Sequence, residues 1–353
     1  MSNSMSSAAE NIAEHKQDLA QLTTDLYFDD HAELEDQYGK KGREKCLEDT
    51  IYHINYLEQA VRVNSVILFS NYLEWARTML KERDIPVNDL VDNMMFLKKA
   101  LQKRLAEDEA AIVVEFITKG LQSFNDIQIA QETFLKDGNP LVEEARIYLE
   151  LLLAGNRKEA AKLIDDLVAH DTPIKDIYEY IFQNTQYEVG VLWQNNKISV
   201  AHEHYCTAAT QLIMSRLYPK IFSMDKKKSK LVACSVADEL HEIGIRMVAD
   251  FFEMDGWDTH YLGANMPDEH LIKTLKEFNA DILAISVTLP LHIGQAQDLI
   301  QKLKRDKEAE DIKVLVGGYP FRFIPDLWKK LGADASASTA KEAIEIANKL
   351  IRN

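Results

Sequence analysis

The chain has 353 residues, 46% of them hydrophobic, which is enough for two or three domains with real cores. Its formal net charge of −16, with no long basic run, argues against direct DNA binding or any other nucleic-acid partner. Three widely spaced cysteines, Cys46, Cys206 and Cys234, provide neither a disulfide framework nor a cysteine zinc site and fit a reducing, cytoplasmic setting. No charge-free apolar stretch of roughly 18 residues occurs, so no membrane span is expected, and the polar start Met1-Ser2-Asn3-Ser4-Met5 lacks a signal core.

Residues 1–40 are polar and acidic and are expected to form a helix or a mobile arm. Ile51, Ile54, Leu57 and Val61 then recur at steps of three and four, the spacing of one helix face. Leu68, Tyr72, Trp75, Ala76 and Met79 continue a similar stripe over 66–80, which Ile85-Pro86 breaks. Asn88 or Asp89 is expected to cap a helix over 90–101, and another helix is expected over 107–121. Asp137-Gly138-Asn139-Pro140 is turn punctuation at a domain boundary. Four helical segments follow, at 141–154, 157–169, 174–195 and 200–221, with the short connections of an antiparallel bundle.

Asp225-Lys226-Lys227-Lys228 is a basic hinge, after which the period changes. Strands are expected at 230–236, 258–262, 282–287, 313–316 and 335–336, alternating with helices at 243–254, 268–278, 293–304, 325–331 and 340–351. This alternation is that of a doubly wound parallel sheet, which binds ligands at the carboxyl ends of its strands. The expected fold class is multidomain α and α/β. It comprises an all-helical N-terminal domain (1–125), a four-helix bundle cap (126–225) and a Rossmann-like, flavodoxin-like doubly wound parallel sheet (228–353).

Glu239-Leu240-His241-Glu242-Ile243-Gly244 lies just behind the first strand. After 41 intervening residues comes Ser286-Val287-Thr288, and after 28 more comes Gly317-Gly318. Each falls at or just after a strand end. A neutral imidazole such as that of His241 is the commonest protein metal ligand, Glu239 can hold its second ring nitrogen, and Gly244 lets a bulky planar ligand approach the backbone. Alone, the histidine reads as a packing residue, the serine as a strand end and the glycine pair as a tight turn.

Together, residues 239–244, 286–288 and 317–318 resemble the cobalamin-binding domain family of methionine synthase, corrinoid methyl carriers and cobalamin-dependent mutases. The motifs of that family are Asp-x-His-x-x-Gly, Ser-x-Leu and Gly-Gly at these gaps, and Gly332-Ala333-Asp334 also matches a family habit. The resemblance covers about 125 residues. It implies that His241 binds cobalt from below, displacing the vitamin's own dimethylbenzimidazole. Ser286 would contact the displaced base, and Gly317 and Gly318 would make room for the buried tail. Glu239 stands where Asp is usual, with Asp238 as a substitute partner, and Thr288 stands where Leu is usual.

In the bundle, Trp193 is followed after nine residues by Glu203-His204. That pairing resembles the cap of adenosylcobalamin-dependent photoreceptor regulators of the CarH type. The resemblance implies Trp193 over the adenosyl group and Glu203 on its ribose hydroxyls, hence adenosylcobalamin as cofactor. The family's histidine after the tryptophan is here Gln194, leaving His202 or His204 to reach the upper cobalt position after photolysis. Residues 42–53 and the following helices resemble the globin-like domain of photocobilins. That likeness implies biliverdin among His53, Tyr56, Tyr72 and Trp75, with Arg43 or Arg62 on its propionates and Cys46 as an anchor. A helical dimerisation domain whose aromatic residues are core is the other reading of the same segment.

The leading expectation is a cobalamin-binding light sensor rather than an enzyme, in which photolysis shifts the cap and a homo-oligomer arrangement. The alternative is a corrinoid carrier in methyl transfer, working with a separate methyltransferase. A radical mutase subunit ranks last, because the chain has no substrate barrel.

Overall fold

The structure, a computed structural model, describes residues 2–123, 133–222 and 227–351. The 125/126 domain boundary and the Asp225-Lys226 part of the hinge lie outside the described residues. The chain divides into two compact units, Met1–Ile129 with Leu289–Gly294, and Ala130–Thr288 with Gln295–Asn353.

The first unit is helical: α1 (Ser2–Glu14), α2 (Lys16–Asp30), α3 (Glu33–Arg62), α4 (Val66–Lys81), α5 (Val87–Arg104) and α6 (Glu107–Ser123). The acidic start is packed helix rather than an arm. Ala8, Ile12 and Leu19 are buried, and Glu109 of α6 accepts from Ser7 Oγ at 2.6 Å and Asn11 Nδ2 at 2.8 Å. Gly39, at φ 58, bends α3 where an L side chain would be strained. The start of α5 differs from expectation: the helix begins at Val87 behind Pro86, and neither Asn88 nor Asp89 caps it. Proline at the entry supplies the helical φ without a capping side chain.

The second unit carries α7 (Val142–Leu153), α8 (Arg157–Ala169), α9 (Ile174–Asp176), a π-helical stretch (Ile177–Gln183), α10 (Asn184–Gln194) and α11 (Val200–Ile221). Gly138 at φ 102 and Asn139, whose Oδ1 accepts from Leu141 N at 2.8 Å, form the turn read at 137–140. Tyr148, Tyr178 and Phe182 are buried among the bundle helices, and Tyr148 Oη lies 3.0 Å from Thr210 Oγ1.

The same unit holds a five-stranded parallel sheet in the order β2-β1-β3-β4-β5: β1 (Lys230–Ser235), β2 (Asp258–Gly263), β3 (Ile282–Ser286), β4 (Lys313–Gly317) and β5 (Ala335–Ser336). The central β3 is buried along its whole length, as Ile-Leu-Ala-Ile-Ser demands of a strand covered on both faces, whereas the edge strand β2 is half-exposed. The crossovers are α12 (Ile243–Met254), α13 (Asp268–Phe278), α14 (Ile293–Arg305), α15 (Tyr319–Phe323) and α16 (Leu327–Leu331), and α17 (Ala340–Leu350) follows the last strand. The helix expected over 325–331 is α16, and the short α15 before it was not expected. Asp334 closes the sheet's far side, accepting from Val314 N at 2.7 Å and Lys304 Nζ at 3.0 Å. The multidomain α and α/β class holds, and the strand order is that of flavodoxin-like sheets.

Candidate functional site

The strand order reverses between β1 and β3, so the loops leaving these two strands diverge and open a crevice. Register places three distant residues in one row: Ser235 pairs with Ser286, and Ser286 with Gly317. The second and third motifs therefore begin on the last residues of their strands, while the first lies in the loop beyond β1.

Behind β1 the chain turns at Asp238, with φ +64. The Asp238 amide donates to Asn265 Oδ1 at 2.8 Å, and the Asn265 amide donates to the Glu239 carbonyl at 3.0 Å. Ser235 Oγ donates to the His241 carbonyl at 3.0 Å. Glu239 is completely buried. Its Oε1 accepts from the His241 amide at 3.0 Å and lies 2.6 Å from His241 Nδ1, while its Oε2 accepts from the Thr288 amide at 2.9 Å. The extra methylene of Glu over Asp reaches across to the β3 loop. Asp238 is exposed and enters through its backbone, so Glu239 itself is the imidazole's partner.

A carboxylate only accepts, so Nδ1 carries the hydrogen and Nε2 of the neutral ring keeps the lone pair. The His241 side chain is 53% exposed. The Glu239 hydrogen bond raises its pKa above the ordinary histidine value against the opposing effect of burial, and the charges of Glu239 and Glu203 add to the rise.

The glycines divide by role. A Cβ on Gly244 would meet nothing within 4 Å, so open space stands beside the backbone there. On Gly317 it would lie 3.1 Å from the Ala337 carbonyl oxygen. On Gly318, at φ +112, it would fall 1.9 Å from the Val287 carbonyl oxygen. Close approach of the β3 loop, rather than ligand space alone, thus demands the second glycine of the pair.

The cap residues sit around α10 and α11. Trp193 is partly buried near the end of α10. Ser199 and His202 form a capping box at the start of α11. Glu203 accepts from Thr207 Oγ1 at 3.2 Å and pairs with His204 Nδ1 at 2.5 Å. His202 and His204 are exposed and held by these local partners, which disfavours either as a migrating cobalt ligand.

Sequence reasoning missed a polar strap from bundle to sheet inside this unit. Glu242 accepts from Gln211 Nε2 at 3.1 Å and from Tyr261 Oη at 2.9 Å. Arg246 donates to Gln211 Oε1 at 3.3 Å and to Ser215 Oγ at 2.7 Å. Tyr178, on the π-helical stretch, donates to Asp250 Oδ2 at 2.8 Å. The available signal was Gln211, Ser215 and Tyr218 on one side of α11, at steps of three and four.

In the first unit the aromatic residues named for a bilin do meet, but they pack on one another. His53 Nδ1 lies 2.6 Å from Tyr72 Oη, and the Tyr56 and Tyr72 rings stack at 3.8 Å. Tyr72 also stacks on Trp75 at 6.1 Å. Arg43 pairs with Asp25 at 2.6 Å and Arg62 with Glu58 at 2.8 Å, so both guanidiniums already hold carboxylates. Cys46 is half-buried, with its thiol pushed up chiefly by burial. The biliverdin expectation therefore has no support in these residues, whose arrangement is that of a filled core.

Among the described residues no group of three or more His, Cys, Asp or Glu could hold a bare metal ion. A cobalt at His241 would come inside its own ring. The residues fit such a group: a buried carboxylate fixes the imidazole, Nε2 is left to coordinate, and open space flanks Gly244. Among the described residues no helix is long and apolar enough to cross a membrane.

A helical cap followed by an open parallel sheet, with an oriented imidazole at the sheet's switch point, defines a B12-binding module. Comparison with known proteins agrees: a B12 binding domain family matches residues 229–347, and a second B12 binding domain family matches residues 145–218. Dimethylamine corrinoid protein 1 of Methanosarcina acetivorans is 30% identical over 169 residues, covering 46% of this chain and 77% of that protein. A corrinoid protein of Desulfitobacterium hafniense is 27% identical over 207 residues, covering 57% of this chain and 94% of its own length. The structure of the Methanosarcina barkeri monomethylamine corrinoid protein superposes with a TM-score of 0.54 at 20% identity, covering 60% of this chain and 99% of that one, which speaks for the fold. The chain belongs to the family of B12-binding corrinoid proteins.

These relatives overturn the light-sensor expectation. Both curated relatives are corrinoid proteins, one of them named for dimethylamine, and they favour the alternative reading. The physical reason for the error is that one tryptophan and one Glu-His pair on cap helices suit any corrinoid cap. Here Glu203 is already engaged by His204 and Thr207.

Proposed function

We propose that this chain is a corrinoid carrier in methyl transfer, working with a separate methyltransferase rather than catalysing the reaction itself. One observation carries the reading: buried Glu239 holds His241 Nδ1 and the Thr288 amide together, leaving Nε2 to bind cobalt. The naming of a relative for dimethylamine supports a methylated amine as the ultimate donor. When bound, the corrinoid supplies a cobalt that accepts and releases a methyl group.

His241 would hold the cobalt through Nε2, with its proton kept on Nδ1 by Glu239. Ser286, Thr288, Gly317 and Gly318 line the place for the tail, and Gly244 leaves room for the ring. Trp193, Glu203 and His204, on the cap helices, would contact the group that the cobalt carries, the adenosyl form included. If Glu203→Ala weakened adenosylcobalamin and methylcobalamin equally, any preference for the adenosyl form would be removed. The division at 1–125, 126–225 and 228–353, a homo-oligomer and a cytoplasmic location belong to the same proposal, the last supported by three free cysteines.

The test is transfer. The chain is loaded with hydroxocobalamin, reduced, and incubated with methylamine methyltransferases and isotope-labelled dimethylamine. Label should stay with the loaded chain and not with the apoprotein. No transfer from mono-, di- or trimethylamine would overturn the proposed donor class.

A further inference from the structure

The chain leaving β3 changes company within one peptide bond. Thr288 belongs to the second unit, while Leu289–Gly294 is folded into the helical first unit. There Pro290, His292 and Gly294 are buried. Gln59 of α3 meets this segment, its Oε1 accepting from the Gly294 amide at 2.7 Å in a buried setting. Gln59 is itself held, since its Nε2 donates to Glu58, which takes Arg62 Nε at 2.8 Å. A Cβ on Gly294 would stand 3.2 Å from Gln59 Nε2 and 3.3 Å from Arg62 Nε, so glycine permits the approach.

Gly294 lies in the first turn of α14, where backbone amides have no intrahelical acceptor. The residues before it, Pro290, Leu291 and His292, include none of the usual capping types. A glutamine from 235 residues earlier in the chain supplies the acceptor instead.

We propose that Gln59 is a positioning residue for the corrinoid loop. By fixing Gly294 it sets where Ser286-Val287-Thr288 stands, and with it the Thr288 amide that holds Glu239 against His241. Helix α3, which neither B12 family match reaches, thereby acts on the cofactor site through the covalent chain. This rests on the corrinoid role of His241 and Ser286 but not on methyl transfer.

The test uses the full chain with hydroxocobalamin as probe. Gln59→Met removes the acceptor at similar volume, and Gly294→Ala crowds the same contact while leaving α3 untouched. Affinity is read by titration, cobalt ligation by the visible spectrum, and loop order by amide exchange over 286–294. Both variants should bind five- to tenfold more weakly, show a smaller histidine-ligated fraction and exchange faster at Thr288 and Gly294, with helical circular dichroism retained. Unchanged affinity and spectrum alongside faster loop exchange would overturn the proposal, as would no change in any readout. If Gln59→Met fails to fold, Gly294→Ala decides alone. Failure of the wild type to bind hydroxocobalamin would instead sink the corrinoid reading itself.

Discussion

Glu239 Oε1 lies 2.6 Å from His241 Nδ1, and the same carboxylate's other oxygen takes the Thr288 amide at 2.9 Å. One buried carboxyl group thus orients the His241 imidazole and ties together the loops leaving β1 and β3. Glu239→Gln keeps one acceptor oxygen, but its amide nitrogen only donates, so either the His241 side or the Thr288 amide loses its acceptor. Loss of such an outer partner typically lowers metal affinity by about 10–100-fold. We expect that range for hydroxocobalamin titrated into Glu239→Gln, and loss of the histidine-ligated spectrum in His241→Ala. A Glu239→Gln variant of wild-type affinity would mean the carboxylate is structural only.

The two glycine sites should separate stability from binding. In Gly318→Ala a methyl would fall 1.9 Å from the Val287 carbonyl oxygen at a φ of +112, so the loop must move. Overpacking and left-handed strain each cost about 1–3 kcal/mol. The apoprotein should melt at a lower temperature. Gly244→Ala meets no protein atom within 4 Å, so the apoprotein should keep its melting point while hydroxocobalamin binds more weakly. The reverse pattern in calorimetry and titration would show that open space beside Gly244 is not ligand space.

Asp250 provides a pH signature. Burial raises its pKa from 3.8 to about 6, although the Tyr178 hydrogen bond and Arg246 pull it down. The folded chain therefore keeps a proton that the unfolded chain has already released. This group's contribution to stability is intact below pH 3.8 and is lost as pH rises through about 6. At about 1.4 kcal/mol per unit, the loss is about 3 kcal/mol. Asp250→Asn should match the wild type near pH 4 and exceed its stability above pH 6 in urea titrations. A difference that does not vary with pH would remove this account.

The strap between cap and sheet should be separable from cofactor ligation. Gln211→Leu deletes one acceptor of Arg246 and one donor to Glu242. Lost hydrogen bonds of this kind cost about 1 kcal/mol each. Limited proteolysis should cleave the bundle of Gln211→Leu faster than that of the wild type, while His241 ligation persists. Equal cleavage rates would show that the strap does not hold the cap.

Much of the sheet domain was legible because its signals are local. Each strand is a short β-rich run, and His241, Ser286 and Gly317 stand at strand ends whose parallel order puts them on one edge. The helix starts were less legible where proline sets the entry, as at Pro86, because no capping side chain marks it. The cap was misread for a different reason. Trp193 and Glu203 state only that an indole and a carboxylate lie on cap helices, and the partners that occupy Glu203, His204 and Thr207, are visible only once the helix is formed.

By itself the sequence determined the fold class and the B12-binding family, since periodicity and motif spacing survive in one dimension. Tertiary structure alone decided which atoms those residues meet. It showed Glu239 rather than Asp238 on His241, the Val287 carbonyl behind the need for Gly318, the ring-on-ring packing of Tyr56, Tyr72 and Trp75, and Gln59 on Gly294. Hydrogen bonds and close contacts between residues up to 235 apart depend on how strands and helices are placed, and no local pattern of residues encodes that placement.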